Sequence, residues 1–179
     1  MSSVLNTTQT RNRITELLAC NRTLRALSAY FTLPAYNWLN NFQNPIDVTL
    51  TMRGRPIDFL TGASSVIAVE QAISSGWSIS FNSALHAKLY IIEKDVIIGS
   101  GNLTSNGMNL ININGNVELN VETKLTREIE QTVEAIEDSS TLINLSNLAK
   151  IKTYLLNKSL KLSLVASSQS TGFLKDNHM

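Results

Sequence analysis

Segments in which apolar and polar residues alternate recur along this chain, and segments with helical spacing lie between them. Residues 47–54, DVTLTMRG, place Val48, Leu50 and Met52 on one side of an extended segment. Residues 64–74, SSVIAVEQAIS, instead show the three- and four-residue spacing of an amphipathic helix. Strands that alternate with helices in units of this length predict an α/β domain, in which helices flank a mixed sheet.

The same patterns predict the remaining elements. Further strands are expected at ALSAYFT, WSISFN, HAKLYII, VIIGS and NVELNVET. Further helices are expected at 14–24, LPAYNWL, LTREIEQTVEAIE and NLSNLAKIKTYLLNKSL. The polar first dozen residues predict a loose start. One domain is expected over residues 1–166, followed by a flexible Ser- and Thr-rich tail at 167–179.

Composition sets broad limits on the class of protein. A chain of 179 residues is long enough to bury a core without disulfides, and its one cysteine, Cys20, is expected to be a small buried hydrophobe. Fifteen basic and 14 acidic residues give a formal net charge of +1, which neither indicates nor excludes a phosphate-bearing partner. Neither a signal peptide nor a membrane-spanning apolar run is found, so we expect a soluble, cytoplasmic protein without a membrane partner.

One segment carries residues suited to chemistry. Residues 85–107, LHAKLYIIEKDVIIGSGNLTSNG, contain the only histidine other than His178. In an extended strand, His86, Lys88 and Tyr90 share one face, and the opposite face is apolar. Periodicity alone does not distinguish a functional polar face from a face that is simply exposed to solvent. The turn that follows adds hydrogen-bonding groups from Ser100 and Asn102 between small glycines.

This arrangement resembles the phospholipase D superfamily, whose signature is His-x-Lys, four residues, Asp, a short apolar stretch and Gly-Ser-x-Asn. The positions that match are His86, Lys88, Gly99, Ser100 and Asn102. Members often continue Asn-Leu-Thr-x-x-Gly and later Asn-x-Glu. This chain has those patterns at residues 102–107 and 116–118, so the resemblance is dense over residues 85–119.

Two positions leave alternatives open. Four residues after Lys88 stands Glu93 instead of the family's aspartate, and Asp95 follows two residues later. Either acid can take this place, which in the family is mainly structural. The last pattern also occurs twice, because Asn120-Val121-Glu122 follows Asn116-Val117-Glu118. We prefer Glu118 to Glu122, since it is nearer the turn and is followed by leucine as in the family.

The resemblance implies a metal-independent phosphodiesterase that needs no cofactor. His86 is implied to be the nucleophile that forms a phosphohistidine, and Lys88 to bind the non-bridging oxygens. Asn102 is implied to be a further catalytic residue that adds hydrogen bonds, and Ser100 and Thr104 are expected to be substrate-binding groups. Glu118 is implied to accept the other imidazole N–H. Because the family pairs two copies of the signature and this chain holds one, the expectation is a homodimer with the active site at its interface.

Short members with one copy resemble bacterial nonspecific nucleases and the catalytic domains of metal-independent restriction endonucleases. DNA is therefore the expected substrate, and a separate DNA-recognition domain or a helicase or methyltransferase subunit is a possible partner. The alternatives are a catalytically silent, dimeric nucleic-acid-binding subunit and, with less support, a phospholipase. Four arginines, Arg11, Arg13, Arg53 and Arg55, are expected to be ordinary solvated surface, with phosphate contact as the minority interpretation.

Overall fold

The computed structural model describes residues 2–111 and 115–173. Its strands are β1 (Ser3–Asn6), β2 (Thr23–Ser28), β3 (Asp47–Met52), β4 (Ser78–Phe81), β5 (Lys88–Ile92), β6 (Asp95–Gly99), β7 (Leu119–Lys124) and β8 (Thr141–Ile143). Its helices are α1 (Thr7–Cys20), α2 (Leu33–Asn40), α3 (Pro56–Leu60), α4 (Val66–Ser74), α5 (Arg127–Asp138) and α6 (Leu145–Phe173).

The strands form a mixed sheet in the order β1-β7-β6-β5-β2-β3-β4-β8. Strands β2, β3 and β4 are parallel, because helices between them return the chain to the same edge. The other pairs are antiparallel. Strands β5 and β6 form a hairpin around Glu93 and Lys94, and Glu93 has the positive φ of 56° that such short turns require.

Helices cover both faces of this sheet, which confirms the predicted fold class. The larger core cluster joins one face to α1, α2, α4 and the start of α6, through residues such as Ile14, Leu39, Val69 and Leu148. The smaller cluster joins the other face to α5 through Val133. Strand β5 lies between the two clusters, so all five of its residues are buried. The predicted polar face of this segment is therefore wrong at Tyr90, which lies in the larger core.

Regular structure begins at Ser3, contrary to the expectation of a loose first dozen residues. Strand β1 pairs with β7, and Asn6 caps α1. The Asn6 side chain accepts from the Gln9 N–H at 2.9 Å, while the Gln9 side chain accepts from the Asn6 N–H at 2.9 Å. Polar residues that suggested a loose segment thus form a reciprocal cap. Leu24, assigned to the first helix from its spacing, instead lies buried in β2.

The structure also bears on the single cysteine of the chain. Cys20 is exposed at the end of α1 and is not the buried hydrophobe expected, since the helix directs Ile14, Leu17 and Leu18 to the core.

The backbone of α6 is helical to Phe173, through the first part of the expected tail, whereas 174–179 lie outside the described residues. The proposed domain limits stay a prediction. Within the described part of the chain, no helix is long and apolar enough to cross a membrane.

Candidate active site

The sheet topology brings the three motif segments to one edge. Strands β2, β3 and β6 end there, and β5 and β7 begin there. Lys88 is aligned with Ser28 at the end of β2, and Gly99 at the end of β6 is aligned with Asn120 in β7. The His-x-Lys, Gly-Ser-x-Asn and Asn-x-Glu segments therefore meet because adjacent antiparallel strands reverse direction.

His86 and Lys88 form the centre of this edge. His86 is exposed and precedes β5, whereas Lys88 is the first residue of the strand and keeps only 8% of its surface accessible. The Lys88 ammonium donates to the His86 carbonyl oxygen at 2.7 Å. It also lies 3.2 Å from each imidazole nitrogen. The backbone contact fixes the ammonium beside the ring, where a bound phosphate oxygen could contact both side chains.

The surroundings of this pair shift both pKa values downward. The positive charge of Lys88, aided by partial burial and by Arg53, lowers the pKa of His86 below its ordinary value. Burial lowers the pKa of Lys88, although the Glu118 carboxylate opposes that effect. A lower pKa keeps more of the imidazole neutral near pH 7, which is the form that can act as a nucleophile.

Glu118 is held beside the Gly-Ser-x-Asn turn. It is 8% exposed, and its carboxylate accepts from the Ser100 hydroxyl and, at 3.0 Å, from the Asn116 side-chain amide. The Glu118 N–H donates to the Thr7 hydroxyl at 3.0 Å. Within the described part of a single chain, no hydrogen bond joins Glu118 to His86. Its electrostatic effect is instead on Lys88.

Glu122 has a different environment from Glu118. Its carboxylate accepts from the Arg13 guanidinium at 2.8 Å and from the Ser3 hydroxyl at 3.3 Å. These contacts bind α1 and β1 to β7 and leave the carboxylate in an ion pair away from the turn. Of the two glutamates, Glu118 is therefore the one that the fold places at the motif edge.

The other predicted residues lie in the turn after β6. Asn102 is half-buried, and its side-chain oxygen accepts from the Tyr30 N–H at 3.2 Å. Ser100 is exposed and also accepts from the Leu119 N–H at 3.1 Å. The Thr104 hydroxyl accepts from the Gly107 N–H at 3.0 Å, so that one of its hydrogen-bonding positions already stabilises the turn. Substrate binding by Ser100 and Thr104 stays a prediction.

The acidic position of the signature lies at the opposite end of β5. Glu93 is exposed in the hairpin turn. Asp95 begins β6 and accepts from the Lys124 ammonium at 2.5 Å. Of the two candidate acids, Asp95 makes an ion pair that links β6 to β7. Both residues are a full strand length from Lys88, and the structural role of this position stays a prediction.

Buried polar residues that sequence analysis missed hold the turn in place. The Tyr90 hydroxyl donates to the Gly101 carbonyl at 2.7 Å, and burial raises the pKa of Tyr90, which keeps the donor protonated. The Asn120 side chain accepts from the Gly101 N–H at 3.3 Å and donates to the Thr10 hydroxyl at 2.9 Å. Ser28 accepts from the Leu103 N–H at 2.8 Å. The repeated Asn-x-Glu pattern was the available signal for Asn120.

Glycine is needed in this turn for internal packing. A Cβ atom on Gly99 would lie 2.2 Å from the Asn120 side-chain oxygen, and one on Gly107 would lie 2.3 Å from the Asn102 carbonyl oxygen. The absence of a side chain at these positions admits the protein's own backbone and Asn120, which fixes the position of Asn102.

Replacing Asn120 with alanine should lower the free energy of unfolding by about 2 kcal/mol or more, because the Gly101 N–H and the Thr10 hydroxyl lose a buried partner. Urea unfolding monitored by circular dichroism measures this change. Asn37→Ala, at an exposed position of α2, is the matched control and should change stability by less than about 0.5 kcal/mol. Equal stability changes in the two variants would contradict the role assigned to Asn120.

Metal-ligating side chains do not cluster in this region. Across residues 2–111 and 115–173, no group of three or more histidine, cysteine, aspartate or glutamate side chains is arranged to hold a metal ion. The polar groups at the motif edge are instead an imidazole, an ammonium, an amide and a carboxylate paired with a hydroxyl. This set can supply a nucleophile, a cation and hydrogen-bond donors to a phosphoryl group.

Comparison with solved structures identifies the fold. The structure of a phospholipase D family member, Nuc from Salmonella typhimurium, has a TM-score of 0.61 at 18% sequence identity, and the match covers 80% of this chain and 99% of that chain. The similarity thus extends over almost the whole of Nuc. The mixed sheet and its flanking helices accordingly constitute a phospholipase D fold.

Two larger proteins contain a similar unit. Phosphatidylserine synthase from Haemophilus influenzae Rd KW20 has a TM-score of 0.53 at 13% identity, with 90% of this chain and 47% of that chain covered. TrmBL2, an archaeal chromatin protein described as showing a novel mode of DNA binding, has a TM-score of 0.51 at 9% identity, with 79% and 54% covered. This chain spans about half of each. No family model and no curated protein matches the sequence.

Proposed function

We propose that this protein is a metal-independent phosphodiesterase that cleaves DNA as an endonuclease. The observation that carries the proposal is the meeting of His86, Lys88 and Asn102 at one edge of a phospholipase D fold, with Glu118 beside them. Phosphodiester cleavage requires a nucleophile, positive charge at the phosphoryl oxygens and a proton for the leaving group. The first two come from His86 and Lys88.

In the proposed first step, a neutral His86 nitrogen attacks phosphorus. A phosphorus–nitrogen bond forms and the phosphorus–oxygen bond to one nucleoside breaks, while that oxygen takes a proton from a second, protonated imidazole. In the second step, water attacks the phosphohistidine and gives a proton to the second imidazole, and the phosphorus–nitrogen bond breaks. Lys88 and the Asn102 amide stabilise the charge on the non-bridging oxygens in both steps.

The second imidazole is proposed to come from another copy of the chain. His86 is the one histidine among the described residues, and His178 lies outside them. A twofold-symmetric dimer with His86 near its axis would supply both histidines from one position. It is also a proposal that the protein acts as the catalytic domain of a restriction enzyme. Its partner would then be a separate DNA-recognition domain or a helicase or methyltransferase subunit.

Glu118 is proposed to support the site through its charge. Its carboxylate raises the pKa of Lys88 against the effect of burial, which helps keep the ammonium positive while it binds phosphate. The hydrogen bond from Ser100 and the one from Asn116 hold the carboxylate in place for this purpose. In the part of the chain that the structure describes, Glu118 does not accept a hydrogen bond from His86 of its own chain. The expected hydrogen bond from an imidazole would therefore have to come from another histidine, such as that of a second copy of the chain.

DNA is favoured over lipid by the resemblance of the motif segment and by the charge near it. Short, single-motif members resemble nucleases, as described above. Arg53 and Arg55, near this edge, also offer positive charge to a polyanion. A phospholipase and a silent nucleic-acid-binding subunit remain the alternatives.

Incubation of the protein with supercoiled plasmid in excess EDTA tests the proposal. We expect nicked and linear products, because the mechanism uses no divalent ion. Release of headgroup from phosphatidylcholine vesicles, measured in parallel, should not exceed the background. Plasmid binding without cleavage would instead support the silent subunit, and headgroup release without plasmid cleavage would support the phospholipase.

A further inference from the structure

Arg53 lies next to the candidate active site, although the sequence suggested an ordinary surface residue. It follows Met52, which is aligned with Ser28 at the end of β2, and Ser28 is aligned with Lys88 on its other side. Met52 and Lys88 are thus separated by two strand spacings, or about 9.5 Å. The Arg53 N–H donates to the Ala29 carbonyl at 3.2 Å, which fixes its backbone at the same edge.

The Arg53 guanidinium is held rigidly by Asp58 and Tyr30. Its Nε and Nη2 atoms donate to the two Asp58 carboxylate oxygens at 2.8 and 2.7 Å. Nη2 also donates to the Tyr30 hydroxyl at 2.7 Å. The Arg53 side chain is 14% exposed and that of Asp58 only 5%. A planar guanidinium fixed along one edge presents its other edge in a defined direction.

Donors remain available on the open side of this cluster. Among the described residues, no hydrogen-bond partner contacts the Nη1 atom of Arg53. The Tyr30 hydroxyl accepts from Arg53, so its own hydrogen is free to be donated elsewhere. Tyr30 also donates its backbone N–H to the Asn102 side chain at 3.2 Å, which links the cluster directly to the motif residues.

The charge of Arg53 acts on the site, although Asp58 is its ion-pair partner. Arg53 contributes to lowering the pKa of both His86 and Lys88, so its electrostatic field extends to both. In the proposed mechanism, Lys88 and Asn102 contact the phosphate that His86 attacks. Because β2 lies between β3 and β5, there is room for one phosphate at Lys88 and another at Arg53.

We propose that Arg53 and Tyr30 bind the phosphate adjacent to the scissile one in a polynucleotide. Arg53 Nη1 and the Tyr30 hydroxyl would donate to its non-bridging oxygens, and Asp58 would hold the guanidinium in position. This inference rests on the proposed function, and it specifies a substrate with at least two consecutive phosphates. A diester with a single phosphorus atom would leave this second site empty.

The test compares two substrates in excess EDTA, a single-stranded oligonucleotide and bis(p-nitrophenyl) phosphate. Arg53→Gln should lower kcat/KM for the oligonucleotide by about tenfold or more, mainly by raising KM. It should lower kcat/KM for the one-phosphate diester by a clearly smaller factor, because that substrate loses only the electrostatic effect of Arg53 on His86 and Lys88. Arg22→Gln is the matched control, because Arg22 is exposed before β2 at the opposite edge of the sheet, and it should affect neither substrate.

A second variant controls for loss of stability in Arg53→Gln. Arg53→Gln alone leaves the Asp58 carboxylate buried without its partner, whereas the double variant Arg53→Gln/Asp58→Asn removes both charges. The double variant should show the same difference between substrates. Equal losses on both substrates, or no loss on the oligonucleotide, would overturn the assignment of Arg53 while leaving the proposed nuclease activity intact.

Equilibrium binding separates this proposal from the proposed function if the parent protein cleaves neither substrate. The logarithm of the binding constant for the oligonucleotide should fall with the logarithm of salt concentration, and the double variant should reduce that slope by about 0.7 for the lost phosphate contact. A reduced slope would support the phosphate site without turnover. An unchanged slope would overturn it, and absence of binding by the parent would overturn both proposals.

Discussion

Replacing His86 with alanine should abolish EDTA-resistant cleavage of plasmid DNA, with a loss of about 10³-fold or more in rate. His86 is the imidazole that lies beside Lys88, and the proposed reaction uses it both to attack phosphorus and, from a second copy, to protonate the leaving oxygen. Because the side chain is exposed and precedes β5, its removal should not disturb the core. Gel quantification of nicked plasmid over time measures the effect.

His178→Ala is the matched control, since it removes the other histidine of the chain. It should cleave at the parental rate, and circular dichroism should show parental folding for both variants. If His86→Ala cleaved as fast as the parent, the nucleophile assignment would be wrong. If His178→Ala lost activity instead, the terminal histidine would have to be placed in the reaction.

The same His86 variant tests whether the site is shared between subunits. When one parent subunit is refolded with nine His86→Ala subunits, only about one parent subunit in ten pairs with another parent. Cleavage per parent subunit should therefore fall about tenfold relative to the parent refolded alone. An unchanged rate per parent subunit, or an active monomer by light scattering, would contradict the shared site.

The sequence predicted the parts of the site that are close together along the chain. His86 and Lys88 are two residues apart, and Gly99 to Asn102 follow on the next strand, so a hairpin alone brings these segments near each other. The α/β class followed from the same local alternation. The sequence did not predict that Tyr90 is buried like its apolar neighbours in β5. Its burial depends on α5 covering one face of the strand and the larger core cluster covering the other.

Contacts between distant segments explain what the sequence did not predict. Asn120 meets Thr10 across 110 positions and Glu118 meets Thr7 across 111, contacts that exist only after β1 pairs with β7. Arg53 and Tyr30 are adjacent because β2 and β3 are parallel neighbours. No local pattern of charge or hydropathy distinguishes Arg53 from Arg55, although only Arg53 is fixed by a buried carboxylate.

Lys88→Ala should still bind DNA but cleave it about 10²-fold or more slowly at neutral pH, because the developing charge on the phosphoryl oxygens loses its nearest cation. Lys124→Ala removes a lysine whose side chain is 71% exposed and serves as the matched control, with little change expected. Plasmid cleavage and oligonucleotide binding, measured in the same buffer with EDTA, separate turnover from affinity. Equal loss of binding and cleavage would mean that Lys88 contributes to binding alone.

The residual activity of Lys88→Ala should also show a shifted pH dependence. The attacking imidazole must be neutral, so cleavage declines as pH falls through the pKa of His86. In the parent, Lys88 is the main cause that holds this pKa below its ordinary value of about 6.5. Removing the lysine should raise the pKa, and the acidic limb of kcat/KM should therefore move to higher pH. A limb that stays in place or moves to lower pH would mean that His86 is not the group whose deprotonation starts the reaction.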